Sequence, residues 1–433
     1  MKKFLTGLAG LVLLLLIAVV GLSWHPALAD VEQAQQSSFS VEQINKGAIL
    51  AGIGNCAACH TVKGGGEFAG GLAVVTPFGR IYSSNITPDP ATGIGRWSQE
   101  AFKRALHEGV RQDGANLFPA FPYTYFAHIK DDDVAVLYAY FMTRPPIKSV
   151  SPKNTLPFPL NVRALQTVWK WLYFDKTPLL PDVTKSEEWN RGRYLAEGVA
   201  HCAACHTPRN SLGGERKNAS YAGAAIDGWY SPALTSANPA LVMWSETEIY
   251  AYLRYGKTQL HGVAIGPMAE VVHTGLAKAT DADVHALATY FSDLNGATKI
   301  VQNALAINTI VAKVTAQSSQ VSNLYSDHGA ALYVAACASC HSNSAASMNL
   351  SRPELGFSST LFAPNPDNFL QVILYGIGRK EGSSAMMMPG FDAALTNTDI
   401  VQMAAYLRRS RTTQPPWLNL ENDIVAMRRA HQP

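Results

Sequence analysis

The chain has 433 residues, of which 47% are apolar and 15% are charged. This composition is typical of folded domains and excludes an intrinsically disordered chain, and the length suits about two to four domains. The formal net charge is +3, and two of these charges belong to Lys2 and Lys3. So small an excess predicts no nucleic-acid partner.

The start of the chain predicts export from the cytoplasm. Lys2 and Lys3 precede an apolar run over residues 4–24, and Ala27-Leu28-Ala29 supplies small residues at the spacing of a signal peptidase site. The pattern therefore predicts a signal peptide over residues 1–29. An apolar run of about twenty residues is also long enough to remain as a membrane anchor without cleavage, so both outcomes stay open.

Three pentapeptides of the form Cys-x-x-Cys-His contain every cysteine of the chain. They run from Cys56 to His60 (the first motif), from Cys202 to His206 (the second motif) and from Cys337 to His341 (the third motif). In such a motif the two thiols form thioethers with haem vinyl groups, and the adjacent imidazole binds the iron. The motifs thus predict three covalent c-type haems as cofactors. The predicted thioether residues are Cys56, Cys59, Cys202, Cys205, Cys337 and Cys340, and the predicted proximal iron ligands are His60, His206 and His341.

Zinc binding and thiol exchange are the alternatives for cysteines two residues apart. Structural zinc sites take their ligands in fours, whereas this chain has three separated pairs, each followed by a histidine. The pairs divide into no set of four without distant partners. The predicted export also favours haem, because haem attachment of this kind takes place outside the bacterial cytoplasm.

The chain is internally repeated in phase with the motifs. One glycine lies in a helical pattern ahead of each motif: Gly47, Gly192 and Gly329 stand 9, 10 and 8 residues before the first cysteine. A second helical pattern follows each motif, with apolar residues on one face. Because glycine lets another helix pass closely, we expect the two helices to cross at the glycine, against an aromatic residue. The second patterns begin at Asp133, Asp283 and Asp399, and Thr280 and Thr396 precede the last two at capping-box spacing.

These repeats predict a mainly α fold with three tandem cytochrome c-like domains, each binding one covalent haem c. Aromatic and apolar residues between the first two domains predict a linker that packs on the protein or on a partner. The second linker has no proline, and we expect it to be partly helical. The predicted division is 1–29 signal peptide, 38–147 first domain, 148–185 aromatic linker, 186–296 second domain, 297–322 second linker, 323–411 third domain and 412–433 amphipathic C-terminal segment.

The C-terminal segment carries an apolar stripe followed by two arginines. Such a stripe either lies in the membrane interface or docks on the protein itself. The sequence leaves both alternatives open. The stripe consists of Trp417, Leu420, Ile424, Val425 and Met427, and the arginines are Arg428 and Arg429.

A methionine thioether is a common sixth ligand of an electron-transfer haem. In the second domain Met268 stands in Gly-Pro-Met-Ala, between the haem motif and the last helix. In the third domain Met386, Met387 and Met388 occupy the corresponding region, and Met388 is preferred because Pro-Gly-Phe follows it directly. Met268 and Met388 are therefore the predicted distal iron ligands.

The first domain departs from this pattern. Phe121 stands 61 residues after His60, much as Met268 stands 62 after His206, and phenylalanine cannot bind iron. The sixth ligand of the first haem is thus unassigned, and a five-coordinate iron is the alternative to a replacement ligand. We expect this haem to differ from the others in spin state or reduction potential. The candidate replacements are His128, Met142 and His107.

Several stretches resemble the triheme cytochrome c subunits of bacterial membrane-bound dehydrogenases that oxidise alcohols, gluconate, sorbitol or aldehydes. The resemblance covers nearly the whole mature chain and implies electron transfer from a catalytic dehydrogenase subunit through the haems to ubiquinone. It places the protein at the periplasmic face of the bacterial inner membrane, in contact with the membrane surface, and allows a 2Fe-2S subunit among the partners. The stretches are Ser84-Asn85-Ile86-Thr87-Pro88-Asp89, Leu156-Pro157-Phe158-Pro159, Arg163, Trp169-Lys170-Trp171, Asn190-Arg191-Gly192, Tyr194-Leu195, His201-Cys202 and Thr207-Pro208-Arg209.

The kind of partner enzyme is inferred from the resemblance of two further stretches to known cytochromes. Pro119-Ala120-Phe121-Pro122-Tyr123 and the stretch from Phe141 to Pro146 look like cytochromes paired with molybdenum hydroxylases that act on aldehydes or nitrogen heterocycles. A flavin- or quinone-cofactor sugar or alcohol dehydrogenase is the alternative partner.

Three haem domains leave no room for a substrate-oxidising domain. Gly64-Gly65-Gly66 follows a haem motif directly and opens no strand-to-helix turn of a dinucleotide fold. We therefore expect the substrate chemistry in another subunit. Two other classes stay open, a haem peroxidase with an accessible iron and a free electron shuttle.

Overall fold

The computed structural model describes residues 1–297, 304–319, 326–341, 352–378 and 387–431. These residues are mostly helical, with short antiparallel hairpins, which agrees with the predicted mainly α fold. Met386, one of the alternatives for a distal ligand, lies outside the described residues. In the part of the chain whose side chains are described, no helix combines the length and the apolar character needed to cross a bilayer.

Each motif histidine lies in a short helix, and longer helices precede and follow each motif. Two of them continue into π-helical turns, Leu195–Val199 and Val271–Gly275. The helices are α1 Lys2–Ser23, α2 Val41–Ile53, α3 Cys56–His60, α4 Gln99–Glu108, α5 Tyr123–Phe126, α6 Asp131–Met142, α7 Gln166–Tyr173, α8 Glu187–Tyr194, α9 Ala203–His206, α10 Glu246–Tyr255, α11 Gly266–Glu270, α12 Asp281–Leu294, α13 Ala304–Ser319, α14 His328–Ala336, α15 Ala338–His341, α16 Ser359–Phe362, α17 Asp367–Tyr375, α18 Asn397–Arg411 and α19 Leu420–Ala430.

The strands form two-stranded antiparallel hairpins. Strand β1 (Ala73–Thr76) pairs with β2 (Gly79–Tyr82), and β3 (Ala224–Ile226) pairs with β4 (Trp229–Ser231). Strand β5 (Lys257–Thr258) pairs with β6 (Gly262–Val263). Each of the first two hairpins follows a haem motif, so these strands lie where they can support its histidine.

The chain divides into two compact units. Unit 1 contains residues 1–185, 193–202 and 278–280. Unit 2 contains residues 186–192, 203–277 and 281–433. The predicted boundaries of three haem domains remain a prediction.

The predicted crossing of helices at glycine is confirmed at all three repeats. In unit 1, a Cβ atom added to Gly47 of α2 would lie 2.7 Å from the Cβ atom of Tyr140 in α6. In unit 2, the corresponding distances are 2.8 Å from Gly192 to Tyr290 and 2.9 Å from Gly329 to Tyr406. Backbone carbonyls of Val136, Ala286 and Gln402 also lie against these glycines. The helix pairs therefore touch backbone to backbone, which only glycine allows.

Side-chain caps fix where several of these helices begin. Ser40 forms a capping box with Gln43 at the start of α2, and Ser98 and Ser245 accept hydrogen bonds from the first turns of α4 and α10. The predicted box of Thr396 and Asp399 is confirmed at the start of α18. Each cap satisfies backbone donors that the first turn leaves unpaired.

The predicted linkers and tail are packed structures. Residues 166–173 of the first linker form α7, where Trp171 and Leu172 stay exposed while Lys170 bonds the backbone of Glu108 and Gly109. The second linker contains α13, as expected from its lack of proline. At the C-terminus, the apolar stripe docks on the protein: Trp417, Leu420 and Ile424 are buried in the core between α17, α18 and α19.

Candidate haem sites

A tight backbone turn introduces the first motif. Helix α2 ends at Ile53, and Asn55 adopts a left-handed conformation with φ of 47° before α3 begins at Cys56. His201 has φ of 39° immediately before the second motif. A left-handed residue ends one helix and changes the direction of the chain. The motif then begins a new, short helix.

Each of the three motif histidines forms a hydrogen bond of the same kind, from its Nδ1 to a backbone carbonyl. His60 Nδ1 lies 2.6 Å from the carbonyl oxygen of Ser84, and His206 Nδ1 lies 2.7 Å from that of Pro232. His341 Nδ1 lies 3.0 Å from the carbonyl oxygen of Pro353. A carbonyl can only accept, so Nδ1 carries the proton and the lone pair is on Nε2. That arrangement is typical of a histidine whose Nε2 binds a metal and whose other nitrogen is held by a second partner.

Burial favours the uncharged imidazole at the first and second motifs. It lowers the pKa of His60 and of His206, and the hydrogen bond to the carbonyl opposes this shift only in part. A neutral imidazole is the form that binds iron.

Within the described parts of the chain, no cluster of zinc ligands surrounds the motif thiols. Among the residues that the structure describes, no group of three or more His, Cys, Asp or Glu side chains could hold a metal ion. Burial raises the pKa of Cys56 to about 12 and that of Cys337 to about 11. In both motifs the second cysteine, Cys59 or Cys340, is exposed. The donor set therefore fits a haem held by thioethers and one imidazole.

The predicted distal methionines lie in two different settings. Met268 is half-buried in the short helix α11, where it packs against a small cluster with Ala264, Ala269 and Val272. Met388 is half-buried, forms a two-way backbone bridge with Ile377, and packs against the core of the third repeat. Met387 next to it is 70% exposed, which supports the preference for Met388. Their ligation of iron remains a prediction.

Phe121 belongs to an aromatic cluster in unit 1. Its ring centroid is 5.4 Å from that of Phe126, which in turn lies 5.6 Å from the ring of His201. Both contacts have the T-shaped geometry that aromatic pairs favour. Counted from the motif histidine, Phe121 stands at nearly the same offset as Met268 in the second repeat, and its side chain is packed among aromatic rings.

The three candidates for a replacement ligand lie in different environments. His107 Nδ1 lies 3.9 Å from a carboxylate oxygen of Asp131, and burial lowers the pKa of His107. Burial also lowers the pKa of His128, which lies close to Glu197. Met142 is buried at the C-terminal end of α6. The sixth ligand of the first haem stays unassigned among these three and a five-coordinate iron.

Known families match both ends of the chain. Residues 44–145 match the family described as Cytochrome c. Residues 326–407 match the family described as Cytochrome C oxidase, cbb3-type, subunit III. The first match includes the first motif, and the second match includes the third motif.

Longer similarities extend over most of the chain. A nicotinate dehydrogenase subunit of Pseudomonas putida is 41% identical over 411 residues, which cover 94% of this chain and 34% of that protein, so the chain spans about a third of its length. The fructose dehydrogenase cytochrome subunit of Gluconobacter japonicus is 39% identical, with 84% of this chain and 78% of that protein covered. The gluconate 2-dehydrogenase cytochrome c subunit of Pantoea cypripedii is 34% identical, with 96% of each covered. The chain belongs to the family of dehydrogenase cytochrome c subunits.

Membership in this family settles the class of chemistry. Cytochrome c domains bind haem c, whose iron exchanges one electron between the ferrous and ferric states. In this dehydrogenase cytochrome c subunit the motif cysteines would hold the group covalently, and the motif histidines, each oriented by a backbone carbonyl, would bind its iron. Its role is electron transfer as a subunit of a dehydrogenase.

The sequence predicts the cysteines and histidines of the sites but gives no indication of the backbone groups that bind the histidines. Ser84 begins one of the stretches that carry the family resemblance, yet its role as an acceptor was not predicted. Pro232 and Pro353 act through carbonyl oxygens, and a carbonyl has no signature in residue type. The pair Asp227-Gly228 was a usable signal, because such a pair favours a tight hairpin turn, and that hairpin leads to Pro232.

Proposed function

We propose that this dehydrogenase cytochrome c subunit carries three covalent c-type haems and passes electrons from a periplasmic dehydrogenase to membrane ubiquinone. One observation carries the proposal: each motif histidine donates a hydrogen bond from Nδ1 to a backbone carbonyl, which leaves the Nε2 lone pair available to an iron. Because the histidine is oriented in the same way in all three motifs, three haems explain the arrangement better than one.

For the partner, we favour a molybdenum hydroxylase that oxidises aldehydes or nitrogen heterocycles, with a 2Fe-2S subunit as an intermediate carrier. The similarity to the nicotinate dehydrogenase subunit supports this choice, since nicotinate is a nitrogen heterocycle. The similarity to cytochrome subunits named for fructose and gluconate supports the alternative, a sugar or alcohol dehydrogenase with a flavin or quinone cofactor.

The place of action that we propose is the periplasmic face of the inner membrane. The signal-peptide pattern over residues 1–29 supports export, and haem attachment at Cys-x-x-Cys-His motifs requires it. Trp171 and Leu172 on α7 are 59% and 60% exposed. They offer apolar surface for a partner subunit or a lipid surface.

Haem content tests the number of sites. The full chain and three variants, each with both cysteines of one motif replaced by alanine, are expressed with the periplasmic haem-attachment machinery. Haem per polypeptide is measured after denaturation. We expect three haems in the parent and two in each variant. A parent with two haems, or a variant with unchanged content, would refute the three-haem proposal.

Copurification tests the partner. The protein is isolated from detergent-solubilised membranes, and the bound subunits are analysed for molybdenum, flavin and quinone cofactor. Molybdenum supports the favoured partner, and flavin or quinone cofactor supports the alternative. If no subunit accompanies the cytochrome, and reduced protein binds carbon monoxide, the peroxidase class is favoured over electron transfer in a complex.

A further inference from the structure

Two side-chain amides of helix α17 bind the outer edge of the hairpin β3–β4 in unit 2. The backbone N–H of Tyr230 donates to Asn368 Oδ1 at 2.8 Å, and Asn368 Nδ2 donates to the carbonyl oxygen of Tyr230 at 2.8 Å. Gln371 Nε2 donates to the carbonyl oxygen of Gly228 at 3.1 Å. Asn368 and Gln371 are 9% and 8% exposed. We call this pair of side chains the amide clamp.

The hairpin register explains why these backbone groups need partners. Ile226 pairs with Trp229 across a two-residue turn, so Tyr230 faces Ala225 in the next pair along. In an antiparallel ladder the pairs alternate, and the N–H and C=O of every second residue point away from the partner strand. Those of Tyr230 therefore point to the outer edge. Left unpaired next to a packed helix, they would cost the free energy of unsatisfied polar groups.

The helix presents both amides to the hairpin. Asn368 and Gln371 are three residues apart on α17 and so lie on one helix face. Asn368 binds Tyr230 in β4, and Gln371 binds Gly228 in the turn that precedes this strand. The clamp therefore holds both the strand and its turn.

The clamped strand leads directly to the second haem site. Pro232 follows Tyr230 by two residues, and its carbonyl oxygen accepts the hydrogen bond from His206 Nδ1 at 2.7 Å. The position of that carbonyl depends on where β4 is held. The amide clamp holds β4 from the side opposite to β3.

One of these hydrogen bonds has a counterpart at the first motif, where the asparagine comes from a different segment of the chain. In unit 1, the N–H of Tyr82 donates to Asn154 Oδ1 at 2.9 Å. Ser84 follows Tyr82 by two residues and accepts from His60 Nδ1 at 2.6 Å. Here the asparagine comes from the linker 148–185, whereas Asn368 lies in the helix that follows the third motif. An asparagine on the hairpin edge thus accompanies both of these proximal histidines.

We propose that Asn368 and Gln371 are positioning residues for His206, through which helix α17 sets the reduction potential of the second haem. The proposal rests on the proposed haem at the second motif. A firm hydrogen bond from Nδ1 makes the imidazole a stronger electron donor, which stabilises ferric iron and lowers the potential. Releasing β4 lets the Pro232 carbonyl move away from Nδ1, and the potential of that haem rises.

The test replaces Asn368 by leucine, which has a similar size and makes neither hydrogen bond. The full-length holoprotein is titrated spectroelectrochemically, and the second haem is identified as the component missing when Cys202 and Cys205 are both alanine. In Asn368→Leu we expect a higher potential for the second haem alone, and faster hydrogen exchange at the Tyr230 amide. In Gln371→Met, which loses one bond, we expect a smaller shift of the same sign, and this milder variant serves if the leucine variant does not accumulate.

Asn154→Leu is the matched control, because it removes the equivalent bond beside the first motif. We expect it to shift the first haem and leave the second unchanged. Equal shifts of all haems in Asn368→Leu would indicate general loosening and would overturn the proposal. An unchanged potential despite faster exchange at Tyr230 would overturn it as well. Absence of haem at the second motif is read separately from haem content, and it would refute the proposed function together with this inference.

Discussion

His201 Nε2 lies 3.3 Å from the carbonyl oxygen of Gly54. His201 directly precedes Cys202, and Gly54 stands two residues before Cys56. One hydrogen bond within unit 1 therefore joins the two chain segments that lead into the first and second motifs. The imidazole is held in place from the side by Phe126, at 5.6 Å between ring centroids.

Replacing His201 by leucine removes this link. We expect the free energy of unfolding to fall by about 1–2 kcal/mol, because a carbonyl loses its donor and a T-shaped ring contact disappears. Urea denaturation of the holoprotein measures the change. His201→Gln is the control: its amide keeps a donor of similar reach, so we expect part of the loss to be restored. Equal losses in the two variants would show that the hydrogen bond does not contribute.

Phe121→Met tests the assignment of distal ligands. In the parent protein we expect methionine-ligated ferric haem at the second and third motifs and a different signal from the first haem, because Phe121 cannot bind iron. Met268→Ala and Met388→Ala should each remove one such signal, and Phe121→Met should add one. The signals are read from the near-infrared and electron paramagnetic resonance spectra of the oxidised protein.

The control for this series is Met387→Ala, since Met387 is largely exposed and adjacent to Met388. It should change none of the methionine signals. Three indistinguishable methionine-ligated haems in the parent would contradict the special status of the first haem. A Phe121→Met variant with an unchanged spectrum would show that residue 121 does not face the iron.

Gly192→Ala tests the helix crossing in unit 2. The added Cβ would lie 2.8 Å from the Cβ atom of Tyr290 and closer still to the carbonyl oxygen of Ala286. Because a backbone atom cannot rotate away, we expect α8 and α12 to separate and the free energy of unfolding to fall by about 1–3 kcal/mol or more. Denaturation followed by circular dichroism measures this loss.

Gly198→Ala provides a matched control six residues further on. There the nearest atom to an added Cβ, Cγ1 of Ile129, is 4.0 Å away, so the methyl group fits. We expect no loss of stability, or a small gain from the reduced freedom of the unfolded chain. Similar destabilisation at both glycines would mean that the close approach at Gly192 is not the cause.

Some of these features could be predicted from the sequence and others could not. The contact of Gly192 with Tyr290 was predictable, because helix periodicity and a repeated glycine are encoded in residue types along short stretches. The contact of Asn368 with Tyr230 was not, since the residues are 138 positions apart and the strand contributes only backbone atoms. The docking of the C-terminal stripe also depended on tertiary packing, because an amphipathic helix can bury its apolar face against protein or lipid.

Trp417→Ala tests whether that stripe stabilises the protein. The Trp417 indole is 9% exposed, its Nε1 donates to the carbonyl oxygen of Ala363 at 3.0 Å, and the Arg408 guanidinium lies 4.1 Å from the ring centroid. Removing it leaves a cavity, and the Ala363 carbonyl oxygen keeps only its hydrogen bond from Arg408 Nη1, at 3.1 Å. We expect the free energy of unfolding to fall by about 3–5 kcal/mol, as measured by urea denaturation of detergent-free protein.

Leu418→Ala separates protein docking from membrane binding. Leu418 is the neighbouring residue and is 86% exposed, so its truncation should change the free energy of unfolding by less than about 0.5 kcal/mol. If the stripe instead served the membrane interface, Trp417→Ala would leave this free energy unchanged and would weaken binding to lipid vesicles. Because Ile424 from the same stripe is fully buried in the core with Trp417, we expect the first result.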